Sequence, residues 1–247
     1  TVPADIDNDG DLDLLVSGPR VFFAHNSLEQ TTDRVRVYRN DSTPGTIRFA
    51  DITDESGMGQ MNDNDALAEL TDGRYPASLP GFMLDGSDLV LTPLLSSAAA
   101  LDVDNDGDVD WVTIDRQLTS RNPLTNEEFA HWLFLNDGTG HFTAVQPDVH
   151  GMVHTARDLT YGDLNGDGRL DIVSVNGSGG GQSVDDKNYV WLNQIVNSNH
   201  YVAIDVRLPR NHFGIGTKVT VLEAGTEHIL GYEEARTDFA YRSKRPA

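Results

Sequence analysis

Short runs of alternating apolar and polar residues recur along the chain, separated by stretches rich in Gly, Asn, Asp or Pro. Alternation with a period of two is typical of β-strands that bury one face. Runs of this kind begin at Arg36 (RVYRN), Trp132 (WLFLN) and Tyr189 (YVWLN). After the first two, a turn and a second run follow, which predicts a β-hairpin. Helical periodicity is weak throughout, so the pattern predicts an all-β fold.

An acidic segment precedes each of these runs, and the three segments are related to one another. They are ADIDNDGDLDLLVSG from Ala4, ALDVDNDGDVDWVTID from Ala100 and YGDLNGDGRLDIVSVN from Tyr161. One repeat therefore consists of an acidic loop, a strand, a linker and a hairpin. The second and third loops are spaced by about 60 residues, which suits one four-stranded blade of a β-propeller. The sequence predicts three to four blades over residues 1–193.

Two regions depart from this repeat. Residues 55–97 lack strand alternation, and we interpret them as an insertion with a short helix around Asp65–Leu70. Long loops of this kind either carry function or are tolerated surface insertions. After Asn193 the repeat stops. The runs HYVAIDVRLP, GIGTKVTVLEA and EHILGYEEA predict three or four further strands, which form either a small β module over residues 194–247 or the closing element of the propeller.

The acidic loops have the spacing of a calcium-binding loop. Carboxylate or amide side chains stand at loop positions 1, 3, 5 and 9, glycine at position 6 permits a sharp turn, and position 7 offers its backbone carbonyl. The predicted ligands are Asp5, Asp7, Asp9, Asp11 and Asp13 in loop 1; Asp102, Asp104, Asp106, Asp108 and Asp110 in loop 2; and Asp163, Asn165, Asp167, Arg169 and Asp171 in loop 3. Arg169 needs only its carbonyl for this role, so its side chain is free to point outward.

Several carboxylates held within a few ångströms repel one another, and a bound cation removes that cost. Calcium fits better than magnesium because it accepts six to eight oxygen ligands in flexible geometry. A helix–loop–helix calcium site would need Glu at position 12, where this chain has Val16, Thr113 and Ser174. The segments that follow the loops are strands as well. Three matching loops in one chain argue against solvated turns that arose by chance.

The net charge of the chain excludes some classes of binding partner. The formal net charge is -21, which repels nucleic acids and anionic membrane surfaces. No apolar run reaches the roughly 18 residues of a membrane-spanning helix. The absence of cysteine excludes disulfides and thiolate metal sites. The chain begins at Thr1 without a signal-peptide pattern, and we expect a mature or trimmed fragment.

The loops followed by apolar strands resemble the FG-GAP/VCBS-type repeats of integrin-α-like β-propellers. VYRNDSTPGTIRFADITDESGM is similar to an element of bacterial members and of the cartilage acidic protein family. NSNHYVAIDVRLPRNHFGIGTKVTVLEAG resembles the ASPIC/UnbV module that ends such proteins. The resemblance implies a seven-bladed, calcium-containing, exported and non-catalytic propeller that serves in adhesion or matrix contact. Three to four blades do not close such a ring, so we expect either a piece of a longer protein or a subunit whose open edges pair.

Other motifs give weaker indications. His150 and His154 are spaced as zinc ligands would be on a helix, but Gly151 favours a loop. The GSGGG run at 177–181 lacks the Lys of a phosphate loop, and no G-x-S-x-G elbow supports a hydrolase. The three tryptophans, Trp111, Trp132 and Trp191, are expected in the blade core. N-x-S sequons at Asn40 and Asn176 matter only where the source glycosylates its proteins.

The leading functional hypothesis is a calcium-stabilised extracellular or cell-surface adhesion or structural protein that binds a protein partner. One alternative is a subunit of a self-assembling filament or surface layer, joined through open blade edges. Another is a lectin-like propeller that binds carbohydrate. An enzyme would need a cleft with converging catalytic groups, and the sequence has no such signature, so we expect no enzymatic activity.

Overall fold

The computed structural model describes residues 1–17, 21–24, 27–30, 35–62, 95–115, 131–145, 158–175, 188–209 and 214–235. Within them lie fifteen strands: β1 (Val2–Ala4), β2 (Asp13–Ser17), β3 (Val21–Ala24), β4 (Ser27–Gln30), β5 (Val35–Asn40), β6 (Phe49–Asp51), β7 (Leu95–Leu101), β8 (Asp110–Asp115), β9 (Trp132–Asn136), β10 (Phe142–Val145), β11 (Asp158–Gly162), β12 (Asp171–Val175), β13 (Tyr189–Trp191), β14 (Lys218–Leu222) and β15 (Ile229–Glu234). The predicted all-β fold is confirmed.

Three antiparallel sheets correspond to the three repeats. Their strand orders are β1-β2-β5-β6, β7-β8-β9-β10 and β11-β12-β13, with β3 and β4 forming a separate hairpin in the linker of the first repeat. Each sheet begins with a strand before its acidic loop, which the sequence analysis did not predict. In β7 this strand contains three consecutive alanines that are all buried, so it shows no alternation of apolar and polar residues.

Two apolar clusters lie between successive sheets. The first joins sheets one and two and includes Leu15, Val37, Trp111 and Trp132. The second joins sheets two and three and includes Val112 and Ile172, with the half-buried Trp191 packed against it. The sheets are thus stacked face to face, as propeller blades are. The predicted placement in the blade core is confirmed for Trp111 and Trp132, whereas Trp191 is only partly buried against the second cluster.

The start of the predicted insertion belongs to the first repeat. A short 3-10 helix spans Met58–Asn62, and Met58 and Met61 are buried in the first apolar cluster. Asn62 closes this segment onto β5, because its side-chain amide donates to the carbonyl oxygen of Val35 at 2.9 Å. Strand β7 already begins at Leu95. The insertion is therefore shorter than 55–97, and residues 63–94, with the helix predicted at Asp65–Leu70, lie outside the described residues.

Beyond the third sheet, two of the predicted strands form. They are β14 and β15, which pair as an antiparallel hairpin. The strand predicted for HYVAIDVRLP is wrong within residues 201–209, which have no strand assignment. These residues find no ladder partner in the described chain, and Tyr201 contacts loop 3 instead. The boundary at residues 193 and 194 stays a prediction.

In the part of the chain that the structure describes, no helix has the length and apolar character that a membrane crossing requires.

Candidate metal sites in the acidic loops

Each acidic loop connects the first and second strands of its sheet. The residue before the loop pairs with the ninth loop residue in every repeat: Ala4 with Asp13, Leu101 with Asp110, and Gly162 with Asp171. Because this register is the same three times, the predicted ligand positions occupy equivalent places in the three sheets. Two extended strands therefore hold both ends of every loop.

The first aspartate of each loop organises the turn. In loop 1, the carboxylate of Asp5 accepts hydrogen bonds from the backbone N–H groups of Asp9 and Gly10, at 3.1 and 2.9 Å. The same two bonds occur in the other loops, from Asp106 and Gly107 to Asp102 and from Asp167 and Gly168 to Asp163. The loop thus curls around its first carboxylate, as an oxygen-lined cation site requires.

The ninth aspartate fixes the loop to the sheet. Both oxygens of Asp13 accept backbone hydrogen bonds, one from Ile6 at 2.9 Å and one from Asn40 at 2.7 Å. Asp110 makes the matching bonds with Val103 and Asn136, and Asp171 makes them with Leu164 and Asn193. All three of these aspartates are buried. A carboxylate in this position is oriented before any cation arrives.

Burial makes the first two loops electrostatically unfavourable when no cation is bound. Loss of hydration raises the pKa of Asp5 and Asp102 to about 6, that of Asp13 to about 7, and that of Asp110 to about 8. Repulsion from neighbouring loop carboxylates adds to the rise in pKa in each case, while the backbone hydrogen bonds oppose it. A divalent cation would offset both burial and repulsion, because it stabilises the ionised form of every ligand.

The side chains of the first two loops fit a hard cation. Carboxylate oxygens of Asp5, Asp7 and Asp13 lie within 4.8 Å of one another in loop 1. The trio in loop 2 is Asp102, Asp104 and Asp106, which stand at loop positions 1, 3 and 5, whereas the trio in loop 1 stands at positions 1, 3 and 9. In loop 1, Oδ1 of Asp7 and Oδ1 of Asp11 are buried and accept no hydrogen bond. Buried oxygens of this kind are costly unless they accept a hydrogen bond or bind a cation. All the candidate ligand atoms are oxygens, which is the donor set that calcium prefers.

The fifth loop residue shapes the turn that follows it. In each loop its side chain accepts a hydrogen bond from the N–H of the seventh residue: Asp9 from Asp11, Asp106 from Asp108, and Asp167 from Arg169. The fifth residue therefore shares its carboxylate between the turn and any bound cation. Whether the predicted ligands bind metal remains a prediction.

Loop 3 differs from the other two. Among the described residues it contains no trio of close carboxylates. The guanidinium of Arg169 contacts Asp167 and donates through Nε to the carbonyl oxygen of Asn193 at 2.9 Å. The side chain, which is 33% exposed, therefore lies back along the loop. The backbone hydrogen bond from Arg169 and its positive charge lower the pKa of Asp167, so loop 3 is partly neutralised from within.

The C-terminal part of the chain lies against all three loops at their sixth residue. A β-carbon on Gly10 would meet the side chain of Ile229 at 3.4 Å, and one on Gly107 would overlap the carbonyl oxygen of Leu230. A β-carbon on Gly168 would overlap the ring of Tyr201. Gly107 and Gly168 therefore leave no room for a side chain, and Gly10 and Gly107 have φ values of 90° and 101° that favour glycine.

Three asparagines at these sites escaped the sequence analysis. Asn40, Asn136 and Asn193 stand at or just after the end of the third strand of each repeat and bind the ninth loop aspartate through their backbone N–H groups. A signal existed, because V-Y-R-N, L-F-L-N and V-W-L-N recur in the three repeats. Of the other candidates, His150, His154 and the glycine run at 177–181 lie outside the described residues.

Comparison with known families bears on the middle of the chain. Residues 102–174 match the family described as FG-GAP-like repeat. The match begins at the first aspartate of loop 2, spans the rest of sheet two and ends in β12 after loop 3. The FG-GAP part of the predicted resemblance is therefore confirmed for this stretch. No curated protein matches the chain.

Proposed function

We propose that this chain is a calcium-binding, non-catalytic adhesion or structural protein of the cell surface or extracellular space. Calcium in the acidic loops stabilises the propeller blades, whose exposed faces bind a protein partner. The observation that carries this proposal is the convergence of three carboxylates in each of loops 1 and 2, together with buried carboxylate oxygens of loop 1 that accept no hydrogen bond. FG-GAP-like repeats are adhesion-type β-propeller units, which favours binding over catalysis.

The proposed role of calcium is architectural. The ninth loop residue is also the first residue of the second strand, so a cation on that carboxylate ties the loop to the sheet. Binding energy then becomes folding energy. We expect a fall in the thermal midpoint when a chelator plus magnesium replaces calcium, and recovery when calcium returns. An unchanged midpoint would mean that the loops are ion-free turns, and the proposal would fail.

A second candidate function is self-association through an open blade face. Ile6 and Val103, the second residues of loops 1 and 2, are 0% and 5% exposed because the following sheet covers them. The equivalent Leu164 is 55% exposed, and Val175, Val190 and Leu192 of the same repeat are exposed too. Continuity with the two existing interfaces favours a sheet of the same kind as the occupant, and the first repeat of a second copy would supply one.

Sedimentation equilibrium over a range of protein concentrations tests this association. Reversible dimers or longer chains are expected, and Leu164→Asp should reduce them because it places a charge in the new interface. A monomer at all concentrations would refute self-association while leaving the calcium proposal intact.

A carbohydrate ligand is the remaining alternative. A groove of about 480 Å³ lies beside loops 2 and 3, and its lining includes Arg169, His200 and the exposed ring of Tyr201. Charged and aromatic groups of this kind suit a sugar. Binding to a glycan array that is lost in Tyr201→Ala would support this function, and an array without binding would exclude it.

A further inference from the structure

Asn136 connects the loops of two successive repeats. Its backbone N–H donates to Asp110 of loop 2 at 2.9 Å. Its side-chain amide donates to the carbonyl oxygen of Ile6 in loop 1 at 2.8 Å and to that of Val109 in loop 2 at 3.2 Å. Asn136 is buried, so these bonds are shielded from water. One residue therefore contacts both candidate sites.

The same arrangement recurs one repeat later. Asn193 donates through its backbone N–H to Asp171 of loop 3 at 2.8 Å, and its side-chain amide donates to the carbonyl oxygens of Val103 in loop 2 and Leu170 in loop 3. The two bonds to the preceding loop both go to its second residue, which lies between the first and third ligand positions. Recurrence of all three bonds marks this as a property of the repeat.

A second link joins the same loops on their outer side. The amide of Asn8 in loop 1 donates to the carboxylate of Asp108 in loop 2 at 2.7 Å. The amide of Asn105 in loop 2 donates to the carbonyl oxygen of Gly168 in loop 3 at 3.3 Å. Asn8 and Asn105 both occupy left-handed backbone conformations, with φ of 58° and 59°, which asparagine tolerates better than most residues. Neighbouring loops are therefore held at two points.

We propose that Asn136 and Asn193 are positioning residues that couple the occupancy of adjacent metal sites, so that calcium in one loop strengthens calcium binding in the next. This rests on the proposed function. Calcium in loop 1 would fix the backbone between Asp5 and Asp7, and with it the carbonyl group of Ile6. That carbonyl accepts a hydrogen bond from the side-chain amide of Asn136 and so orients this residue. The backbone N–H of Asn136 in turn holds Asp110, the ninth residue of loop 2. By linkage the coupling runs in both directions.

Asn40 provides a matched control. It holds the same position in the first repeat, where its backbone N–H donates to Asp13 and its amide donates to the carbonyl oxygen of Leu12. Within the described residues, that amide donates to no other loop. Asn40→Ala therefore removes only bonds within the first repeat, with Leu12, Ser42 and Asp11, whereas Asn136→Ala also removes the bond between repeats.

Calorimetric titration with Ca²⁺ on the full chain measures the coupling. Asp163→Ala silences loop 3, and adding Asp7→Ala or Asp104→Ala leaves loop 2 or loop 1 alone. The coupling factor is the overall constant for two ions divided by the product of the two single-loop constants. We expect a factor of about five or more, which falls clearly with Asn136→Ala, although the bond from Asn8 to Asp108 remains, and which persists with Asn40→Ala.

The possible outcomes separate the coupling from calcium binding itself. A factor of one in the parent chain, or a factor that Asn136→Ala does not change, would overturn the coupling while leaving calcium binding established. No Ca²⁺ binding by any loop would overturn the proposed function and the coupling with it. If Asn136→Ala does not fold, the same cycle on loops 2 and 3 with Asn193→Ala decides, because Asn193 is only half-buried.

Discussion

The ion-free protein should lose stability as the pH rises from about 5 to about 8. Burial raises the pKa of Asp110 to about 8 and that of Asp13 to about 7, above the value of 3.8 for an unburied carboxyl. Over this range the folded state therefore holds protons that the unfolded state has lost. Stability falls wherever the folded state binds more protons, so ionisation of these groups destabilises the chelated protein.

The size of the effect follows from Asp110, which is 1% exposed. Each pH unit costs about 1.4 kcal/mol for a group that is protonated only in the folded state. From about pH 5 to about pH 8, Asp110 alone contributes a loss on the order of 4 kcal/mol. For a domain of this size that loss corresponds to a fall in the thermal midpoint of roughly 10 °C.

Calcium should reverse the sign of this dependence. Protons and calcium compete for the same carboxylates, so the calcium-loaded protein gains stability as the pH rises. The assay is thermal unfolding followed by far-ultraviolet circular dichroism, at both pH values, with excess calcium or excess chelator. Asp158→Asn is the control, because Asp158 is also buried with a raised pKa but lies outside the loops. This variant should keep the difference in pH dependence between the calcium-loaded and the chelated protein. Parallel pH dependence with and without calcium would refute the reasoning.

Three further predictions concern single residues. Asp102→Ala should remove one bound calcium and lower the thermal midpoint more than Asp163→Ala does. The reason is that loop 3 is more exposed and Arg169 already neutralises part of its negative charge. The calorimetric stoichiometry and melting curves of the two variants check this. Gly107→Ala should cost clearly more stability in urea unfolding than Gly45→Ala, since both glycines have positive φ but only Gly107 lies under a backbone carbonyl. Equal losses would disprove the contact. Trp111→Ala should destabilise the chain by about 3–5 kcal/mol, because Trp111 is fully buried between sheets one and two; a loss below about 1 kcal/mol would contradict that packing.

The spacing of acidic residues was sufficient to locate the loops. Asp5 to Asp13 and the equivalent residues of loops 2 and 3 could be aligned by sequence because position-by-position chemistry is local: alternating oxygens, a glycine at the turn and an apolar strand immediately afterwards. The all-β class followed in the same way from alternation. Local rules, however, did not find the strand before each loop, since β7 is buried on both faces and consists largely of Ala and Ser.

Other features depend on contacts between distant residues. Asn136 reaches the carbonyl of Ile6 across 130 positions of sequence, and the L-F-L-N pattern around it indicates a strand but not this contact. The side chain of Arg169 lies back along loop 3 because Asp167 and the carbonyl oxygen of Asn193 accept its hydrogen bonds, and the position of the residue in the loop did not indicate these contacts.

The sequence by itself determined the repeat, the strand content and the positions of the acidic residues, since each depends on neighbours within a few residues. Only the tertiary structure decided which loops touch, how deeply each carboxylate is buried and what covers each glycine. Desolvation sets the pKa values of Asp13 and Asp110, and desolvation depends on the packing of sheets that meet across the chain.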